Sequence, residues 1–568
     1  MADNDTLTAF SWVALATFLV VIVFVVYPVR IKLGACGKPN WRITLDIATA
    51  PILGIIFLLA TTTIKPYVVL RGFLGSAGIQ PWGVMILFYS LAYICISLDL
   101  TGLFQFCAFW ISRRAGSNGH TLFTAFFILT TVMSALTSND VVILTGTVFL
   151  SYFTKVSDIH PTAFLMSEFT TANIEDPNAR GRTRAGHLAA SMALYIGNPT
   201  NVVVSQAYNI GFLEYSAWML LPTVICTLLA YITMRILFRN PKYIPKTILS
   251  PDADPKSVLV DPFGAVFGIV LLGCCLGTLI GTSFAGVEVW QVTLPFSVVM
   301  FVRDVVHDVG GTKVILQWAK SGRQRAPPST NETVDHISSS RSIGSQTTDV
   351  IPLEQVATQT SLPPPALSTS VSVASSRSNV RSNAPSIRSE TASKAEKSNR
   401  FRDRFPTLYD IGTRMPWKIL PFALGMFILV EALSDLGWTA IFAIALARIT
   451  PNYYAAVFSV TFITIMACQL LNNLPMTILF TRIMQHPNFY QAANVTPQVL
   501  KGCIFSLVVG SNLGACFTLV GSLAGIMFDH ILKTKGIYVL QYFQFLKWNL
   551  VIMPVLATGA CCVLIGEL

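Results

Sequence analysis

The sequence predicts an all-α polytopic membrane protein with about 10–11 spans, two re-entrant hairpins and two inverted-topology repeats with discontinuous helices. Three observations carry that reading. Hydrophobic residues make up 53% of the 568-residue chain and charged residues only 12%, with a mean hydropathy of +0.60. A soluble globule needs about 25% charged residues to cover its surface, so most of this surface faces lipid. Apolar runs of about 20 residues recur, the length an α-helix needs to cross a bilayer. Short Asn-, Ser- and Gly-rich interruptions inside apolar stretches occur twice, in the same order.

The first element is Phe10–Val29. Its flank, Met1-Ala-Asp-Asn-Asp-Thr6, lacks the basic n-region and small-residue cleavage site of a signal peptide, so the run is read as a true span. Thr44–Thr63, Pro81–Ile111, Ala217–Phe238, Pro262–Ile280, Val289–Val305, Trp417–Leu433 and Gln541–Ile565 follow. Thr121–Phe153, Pro161–Ser205 and Tyr453–Phe528 are apolar but interrupted. Lipid cannot satisfy the backbone groups freed where a helix breaks, so breaks persist only inside protein or around a wet cavity.

The net charge is +11. Its Lys and Arg sit between apolar runs, so the excess reads as positive-inside bias and no nucleic-acid partner is expected. Clusters at Arg30, Lys32, Lys38 and Arg42, at Arg113 and Arg114, at Arg235, Arg239, Lys242 and Lys246, and at Lys533 and Lys535 fall on one side if the N-terminus is outside. That arrangement needs the regions around Asn139 and Asn473 to be re-entrant, and the shared side is the cytoplasm. The 11 Cys, among them Cys95, Cys226, Cys274, Cys275, Cys561 and Cys562, lie mostly in apolar stretches, so no disulfide framework is expected. Residues 319–404 are rich in Ser, Thr and Pro and are expected to be a disordered cytoplasmic linker. The expected organisation is 1–43 as a first span and basic loop, 44–260 as a first repeat, 261–318 as an extra span and the start of a second repeat, the linker, and 405–568 as the rest of the second repeat.

The two halves share a pattern. The first reads Ser97-Leu-Asp99-Leu-Thr-Gly102, then Ser138-Asn139-Asp140, then Gly197-Asn198-Pro199-Thr200-Asn201. The second reads Ser434-Asp435-Leu-Gly437, then Asn472-Asn473-Leu-Pro475, then Gly510-Ser511-Asn512-Leu-Gly514. Inverted repeats place their site at the midplane, where interrupted helices meet. Short Asn and Ser side chains and freed carbonyls coordinate a cation there, while helix N-termini hold an anion. Asp140 is an acid inside a membrane segment and the strongest candidate for a coupling proton. Asp99 and Asp435 are expected to be structural caps, and Glu431 a residue near a span end. Cys468 and Cys516 flank the second hairpin and break, and buried Cys reads as a small hydrophobe before a ligand. His160, His187 and His307 lack ligand-spaced partners, so no metal site is expected. No Walker loop occurs, so any transport is secondary or depends on another subunit.

Ser138-Asn-Asp-Val-Val-Ile-Leu-Thr145, Gly197-Asn-Pro-Thr-Asn-Val-Val-Val-Ser205, Leu471-Asn-Asn-Leu-Pro-Met476, the run Gly510–Ala524 and Pro416-Trp-Lys-Ile-Leu-Pro-Phe-Ala-Leu-Gly-Met426 resemble the ion transporter superfamily, and within it the arsenite/antimonite efflux pump membrane subunit. The resemblance covers about Pro81–Ile565 except the linker. It implies that Ser138, Asn139 and Asp140 form one hairpin tip, and Asn472, Asn473 and Pro475 the other. It implies one break at Gly197, Asn198, Pro199, Thr200 and Asn201, and a second at Gly510, Ser511, Asn512, Gly514, Thr518, Gly521 and Ser522. It also implies homodimers and an elevator-like motion. The chain departs from the pumps at Asn512-Leu-Gly-Ala-Cys-Phe, where they carry Asp before Leu-Gly-Pro-Lys. It also carries Glu175–His187 where the family runs straight on, a segment read as a loop to water or, by preference, as retained intron sequence.

The expected function is a non-enzymatic secondary transporter of an anion or metalloid, of arsenite/antimonite or citrate/divalent-anion type. It would need no cofactor beyond a coupling ion, H⁺ or Na⁺. Sodium/proton antiport and silicate-type efflux are alternatives on the same scaffold. A membrane-embedded enzyme would need a catalytic cluster facing one leaflet, which the motifs lack. Lipid, a small inorganic or carboxylate substrate and a second copy are the expected partners, in the plasma membrane or a vacuolar or other intracellular membrane.

Overall fold

The structure is a computed structural model that describes residues 7–32, 42–136, 139–174, 192, 194–248, 255–310 and 401–567. The expected insert Glu175–His187 and nearly all of the expected linker lie outside the described residues. Phe401–Arg404, assigned to the linker's end, is helical. Two compact units are present: 1–302 with 411–568, and 303–410. In the smaller unit the Asp308 carboxylate accepts from the Thr407 and Leu408 N–H groups at 3.2 and 3.1 Å, satisfying the first turn of Pro406–Arg414.

The described chain is predominantly helical. Among the described residues nine helical stretches are long and apolar enough to cross a membrane: Ala9–Val26, Pro81–Leu100, Phe212–Leu237, Pro262–Thr282, Val289–Asp308, Pro406–Asp435, Tyr453–Leu471, Pro497–Phe517 and Tyr542–Glu567. Burial sorts them. The most apolar stretch of Pro497–Phe517 is 89% buried, against 33% for Ala9–Val26, so the first is an inner helix and the second an outer one. Val266, Ile269 and Val270 on Pro262–Thr282 are exposed, as residues meeting lipid tails would be.

Three expectations change. The stretch Pro81–Ile111 is two helices, Pro81–Leu100 and Leu103–Ala115. Gly102 between them takes φ +82°, and a Cβ there would lie 2.1 Å from the Val258 carbonyl oxygen. The second half repeats the device: Gly437, at φ +87°, separates Ile419–Asp435 from Trp438–Ile449. A one-residue left-handed turn leaves no mark on hydropathy. The span Thr44–Thr63 is shortened to a helix over Thr49–Ala60, because Arg42–Leu45 pairs antiparallel with Val29–Lys32 in a small ribbon. That ribbon is the exception to an all-α chain. Finally, Phe212–Leu237 starts five residues before the expected Ala217 and continues through Pro222.

From Gly119 onward the first half runs Gly119–Leu136, Asn139–Val156, Thr162–Ile174, Pro199–Ala207 and Phe212–Leu237. From Tyr453 the second runs Tyr453–Leu471, Asn473–Met484, the short Pro487–Tyr490, Pro497–Phe517, Leu523–Thr534 and Tyr542–Glu567. The order hairpin, broken helix, long helix thus recurs.

Candidate functional site

Each broken helix restarts with a side-chain cap. Asn198 is extended (φ −145°, ψ 139°), and its Oδ1 accepts from the Thr200 N–H at 3.2 Å, with Pro199 at the first helical position. Pro has no N–H to lose there and a φ already suited to the helix. Gly197 closes the turn before it, donating to the Leu194 carbonyl at 3.1 Å. In the second half Ser522 Oγ accepts from the Gly525 N–H at 3.1 Å and starts Leu523–Thr534.

The second break is displaced from its expected place. Gly510, Ser511, Asn512 and Gly514 lie inside the unbroken helix Pro497–Phe517, and the chain leaves helical geometry at Thr518, which is extended. The glycines serve close approach instead. A Cβ on Gly510 would lie 1.8 Å from Thr464 Oγ1, and one on Gly514 2.6 Å from Cys468 Sγ. Thr518, Gly521 and Ser522 do form the break. Gly521 donates to the Thr518 carbonyl at 3.3 Å, and a Cβ on it would lie 2.4 Å from the Gly514 carbonyl oxygen.

The two halves meet through these residues. Asn198 Nδ2 donates to Asn512 Oδ1 at 3.2 Å, and Asn512 Nδ2 donates to Asn201 Oδ1 at 2.9 Å. Ser511 Oγ donates to Thr200 Oγ1 at 3.4 Å, and Asn201 Nδ2 donates to the Leu194 carbonyl at 3.1 Å. All five side chains are buried. Residues more than 300 positions apart therefore share one polar junction built from amides and hydroxyls.

The hairpin tips make their own contacts, the second with the break of its own half. Asn473 donates its N–H to the Gly521 carbonyl at 2.9 Å, and Asn472 Nδ2 donates to the Val520 carbonyl at 3.3 Å. Asn472 sits at φ +68°, and its buried Oδ1 has no partner among the described residues, an acceptor left open to an incoming donor or cation. Pro475 falls in the first turn of Asn473–Met484, where a missing N–H costs nothing. In the first half Asn139 opens Asn139–Val156, and its Nδ2 donates to Asn173 Oδ1 at 3.2 Å. Asp140 lies in the first turn of that helix; its side chain and all of Ser138 fall outside the described residues.

Other acids differ from expectation. Asp99 and Asp435 sit at helix C-terminal ends, so neither is an N-cap. Asp99 pairs with Arg414 at 2.9 Å, and Asp435 accepts from the Tyr67 hydroxyl at 2.8 Å and lies 3.8 Å from Arg71. Glu431 does not snorkel: it is buried and holds Arg71 at 2.9 Å, Arg482 and the Ser76 hydroxyl. Cys468 and Cys516 are buried and free; the Cys516 thiol faces the Asn512 carbonyl at 3.6 Å. No group of three His, Cys, Asp or Glu suited to a metal occurs among the described residues.

Sequence reasoning missed Asn173, Gln469 and Glu168. Gln469 donates to the Gly514 carbonyl at 2.8 Å and accepts from Thr518 Oγ1 at 2.6 Å, stitching helix to break. Glu168 is an acid in the apolar run Thr162–Ile174, the same signal that marked Asp140.

Comparison with known proteins gives this architecture a context. The citrate transporter family model matches residues 19–320, more than half of the chain, and the arsenical pump membrane protein model matches 406–565. An arsenical pump membrane protein of Escherichia coli is 22% identical over 484 residues, covering 84% of each chain. Another, from Escherichia coli strain K12, is 21% identical over 523 residues, covering 90% of this chain and 92% of its own. Among solved structures, the YdaH transporter of Alcanivorax borkumensis aligns with a TM-score of 0.48 at 13% identity, over 98% of both chains. The chain is a multi-pass integral membrane protein, and it belongs to the citrate transporter family.

Proposed function

We propose that the chain is a secondary active transporter whose substrate passes the junction of Asn198, Thr200, Asn201, Ser511 and Asn512. We read the substrate as a neutral trivalent metalloid hydroxide, arsenite or antimonite, driven by H⁺ or Na⁺. One observation carries this reading. The junction side chains themselves are amides and hydroxyls, contributed by both halves and bonded to one another. Neutral amides and hydroxyls suit a neutral solute better than a multivalent anion, which needs a counter-charge once it leaves water. A neutral hydroxide exchanges its water hydrogen bonds for those of Asn and Ser at little net cost. The curated relatives' names support the same substrate. The repeated element order supports two inverted repeats, each supplying half of the site.

A second reading, a carboxylate anion, is favoured by the helix starts at Pro199 and Leu523, since helix N-termini attract anions. Purified protein in liposomes, given arsenite, antimonite and citrate under imposed pH or sodium gradients, separates the two. Gradient-driven arsenite flux with citrate inert is the expected result. Citrate flux with arsenite inert reverses the substrate, and no flux of any of the three sinks the reading.

A further inference from the structure

Glu168 sits in the middle of Thr162–Ile174, a helix with every residue buried. Its own exposure is 0%. Oε1 accepts from the Thr147 hydroxyl at 3.1 Å, and Oε2 is buried with no partner among the described residues. Room for the carboxyl comes from Gly146 on the facing hairpin helix, where a Cβ would lie 2.5 Å from Oε1. Gly146 also lines a narrow cavity of about 20 Å³ whose walls are mostly apolar, among them Phe104, Phe126, Met133 and Phe149. Thr130 is tied back to the Glu168 helix: Thr171 Oγ1 donates to Thr130 Oγ1 at 3.0 Å.

The charged groups on the surrounding helices are engaged elsewhere or at helix ends. Gly119–Leu136 carries His120, which meets Arg235 of Phe212–Leu237 at 2.6 Å. Pro497–Phe517 carries Lys501, whose ammonium lies 3.6 Å from the Trp218 ring centre. Phe169 touches Phe528 and Phe545, and on those helices Lys533 pairs with Asp529 at 2.6 Å, while Lys547 lies 5.9 Å from the Trp548 ring centre. Glu214 is in the first turn of its helix and Lys155 in the last turn of its own. Nearby hydroxyls and thiols are also placed: the Tyr215 hydroxyl donates to the Met192 carbonyl at 2.8 Å, and the Cys226 thiol faces the Leu556 carbonyl at 3.5 Å. Among the described residues no cation pairs with Glu168. An ionised carboxylate there would hold a full charge on one hydrogen bond, an expensive arrangement at membrane depth. A neutral acid suits the contacts: Oε1 is its carbonyl oxygen, accepting from Thr147, and Oε2 carries the hydrogen.

We propose that Glu168, whose carboxyl packs against Gly146 of the facing hairpin helix, carries the coupling proton. This rests on the transporter reading and names the driving ion and its residue. On exchange the Oε2–H bond breaks, the electron pair stays on the carboxylate, and the proton passes to water on whichever side is open.

Two measurements test it. The first is the infrared spectrum of the purified protein, which needs no substrate. The wild type should show the C=O stretch of a weakly hydrogen-bonded carboxylic acid. Glu168→Gln should remove that band, and Thr147→Val should move it without removing it. The second is arsenite and citrate flux into liposomes under an imposed pH gradient. Glu168→Gln should lower gradient-driven flux at least about tenfold and make the residual flux independent of pH. Thr147→Val, available should Glu168→Gln not be recovered folded, should displace the pH profile. Absence of the band in the wild type, or pH-driven flux retained in Glu168→Gln, overturns the proposal. A wild-type protein that moves neither probe sinks the transporter reading and the coupling role with it, while the band still decides whether Glu168 holds a proton.

Discussion

In the second half, Tyr453–Leu471, Asn473–Met484 and Pro497–Phe517 contain no Asp or Glu. Their counterparts in the first half contain Asp140 and Glu168. Hydrogen-bonding side chains, by contrast, come from both: Asn198, Thr200 and Asn201 from one, Ser511 and Asn512 from the other. Substrate contacts in this reading are shared, whereas proton chemistry belongs to one side. The packing differs likewise. The second hairpin lies tightly on its broken helix through Gly510 and Gly514, and its tip is tied to the break by Asn472, Asn473 and Gln469. The first is held by Asn139 to Asn173, and by Ser134 to the Ala172 carbonyl at 2.9 Å.

The largest test of the shared junction is Asn512→Ala. It removes the acceptor for Asn198 Nδ2 and the donor to Asn201 Oδ1 at once. Stranding a buried polar group costs about 1–3 kcal/mol, so arsenite flux in liposomes should fall about tenfold or more. Full flux would break the idea that both halves hold the substrate. Asp140→Asn comes next: it should slow transport yet leave its pH dependence, the reverse of Glu168→Gln. If Asp140→Asn instead erases the pH profile, the coupling proton moves to the hairpin tip.

Smaller effects come from single contacts. Asn139→Ala and Asn473→Ala each remove a tip side chain, and a hydrogen bond contributes about 0.5–1.5 kcal/mol, so each should reduce flux about threefold. Equal losses support equivalent tips; a loss in only one confines the tip's role to that half. Gly514→Ala should act on stability before transport. Its methyl would press on Cys468 Sγ, and overpacking costs about 1–3 kcal/mol. Thermal unfolding in detergent should show this, and Cys468→Ala in the same chain should restore part of it. No recovery would mean that the Cβ of residue 468, 2.8 Å from the same point and kept in Cys468→Ala, is the harder obstacle.

Much of this was legible in the sequence. Hydropathy located the spans because a helix in lipid must be apolar over its whole length. The Asn and Pro signature of the first break was readable because a cap and a first-turn Pro are local chemistry. The second break was misplaced because Gly510 and Gly514 read as breakers, while their use is to admit Thr464 and Cys468. That use depends on which helix lies opposite, and one helix's residues do not encode it. Glu168, by contrast, was legible as an acid in an apolar run and was overlooked; what only the packed structure adds is the gap left by Gly146 and the bond from Thr147. Asp99 and Arg414 are 315 positions apart, beyond the reach of any local pattern.

The buried Glu431 cluster bears on how the molecule can move. Arg482 belongs to Asn473–Met484, the second helix of the second hairpin, Glu431 to Ile419–Asp435 and Arg71 to Pro66–Leu74. Parting a buried ion pair such as Glu431–Arg482 costs about 3–5 kcal/mol, which is about two to four decades in rate at about 1.4 kcal/mol per decade. A cycle that split these helices on every turnover would meet that barrier each time. That cost holds Ile419–Asp435 and Asn473–Met484 together, while the half-exposed Arg71 ties Pro66–Leu74 to them more weakly.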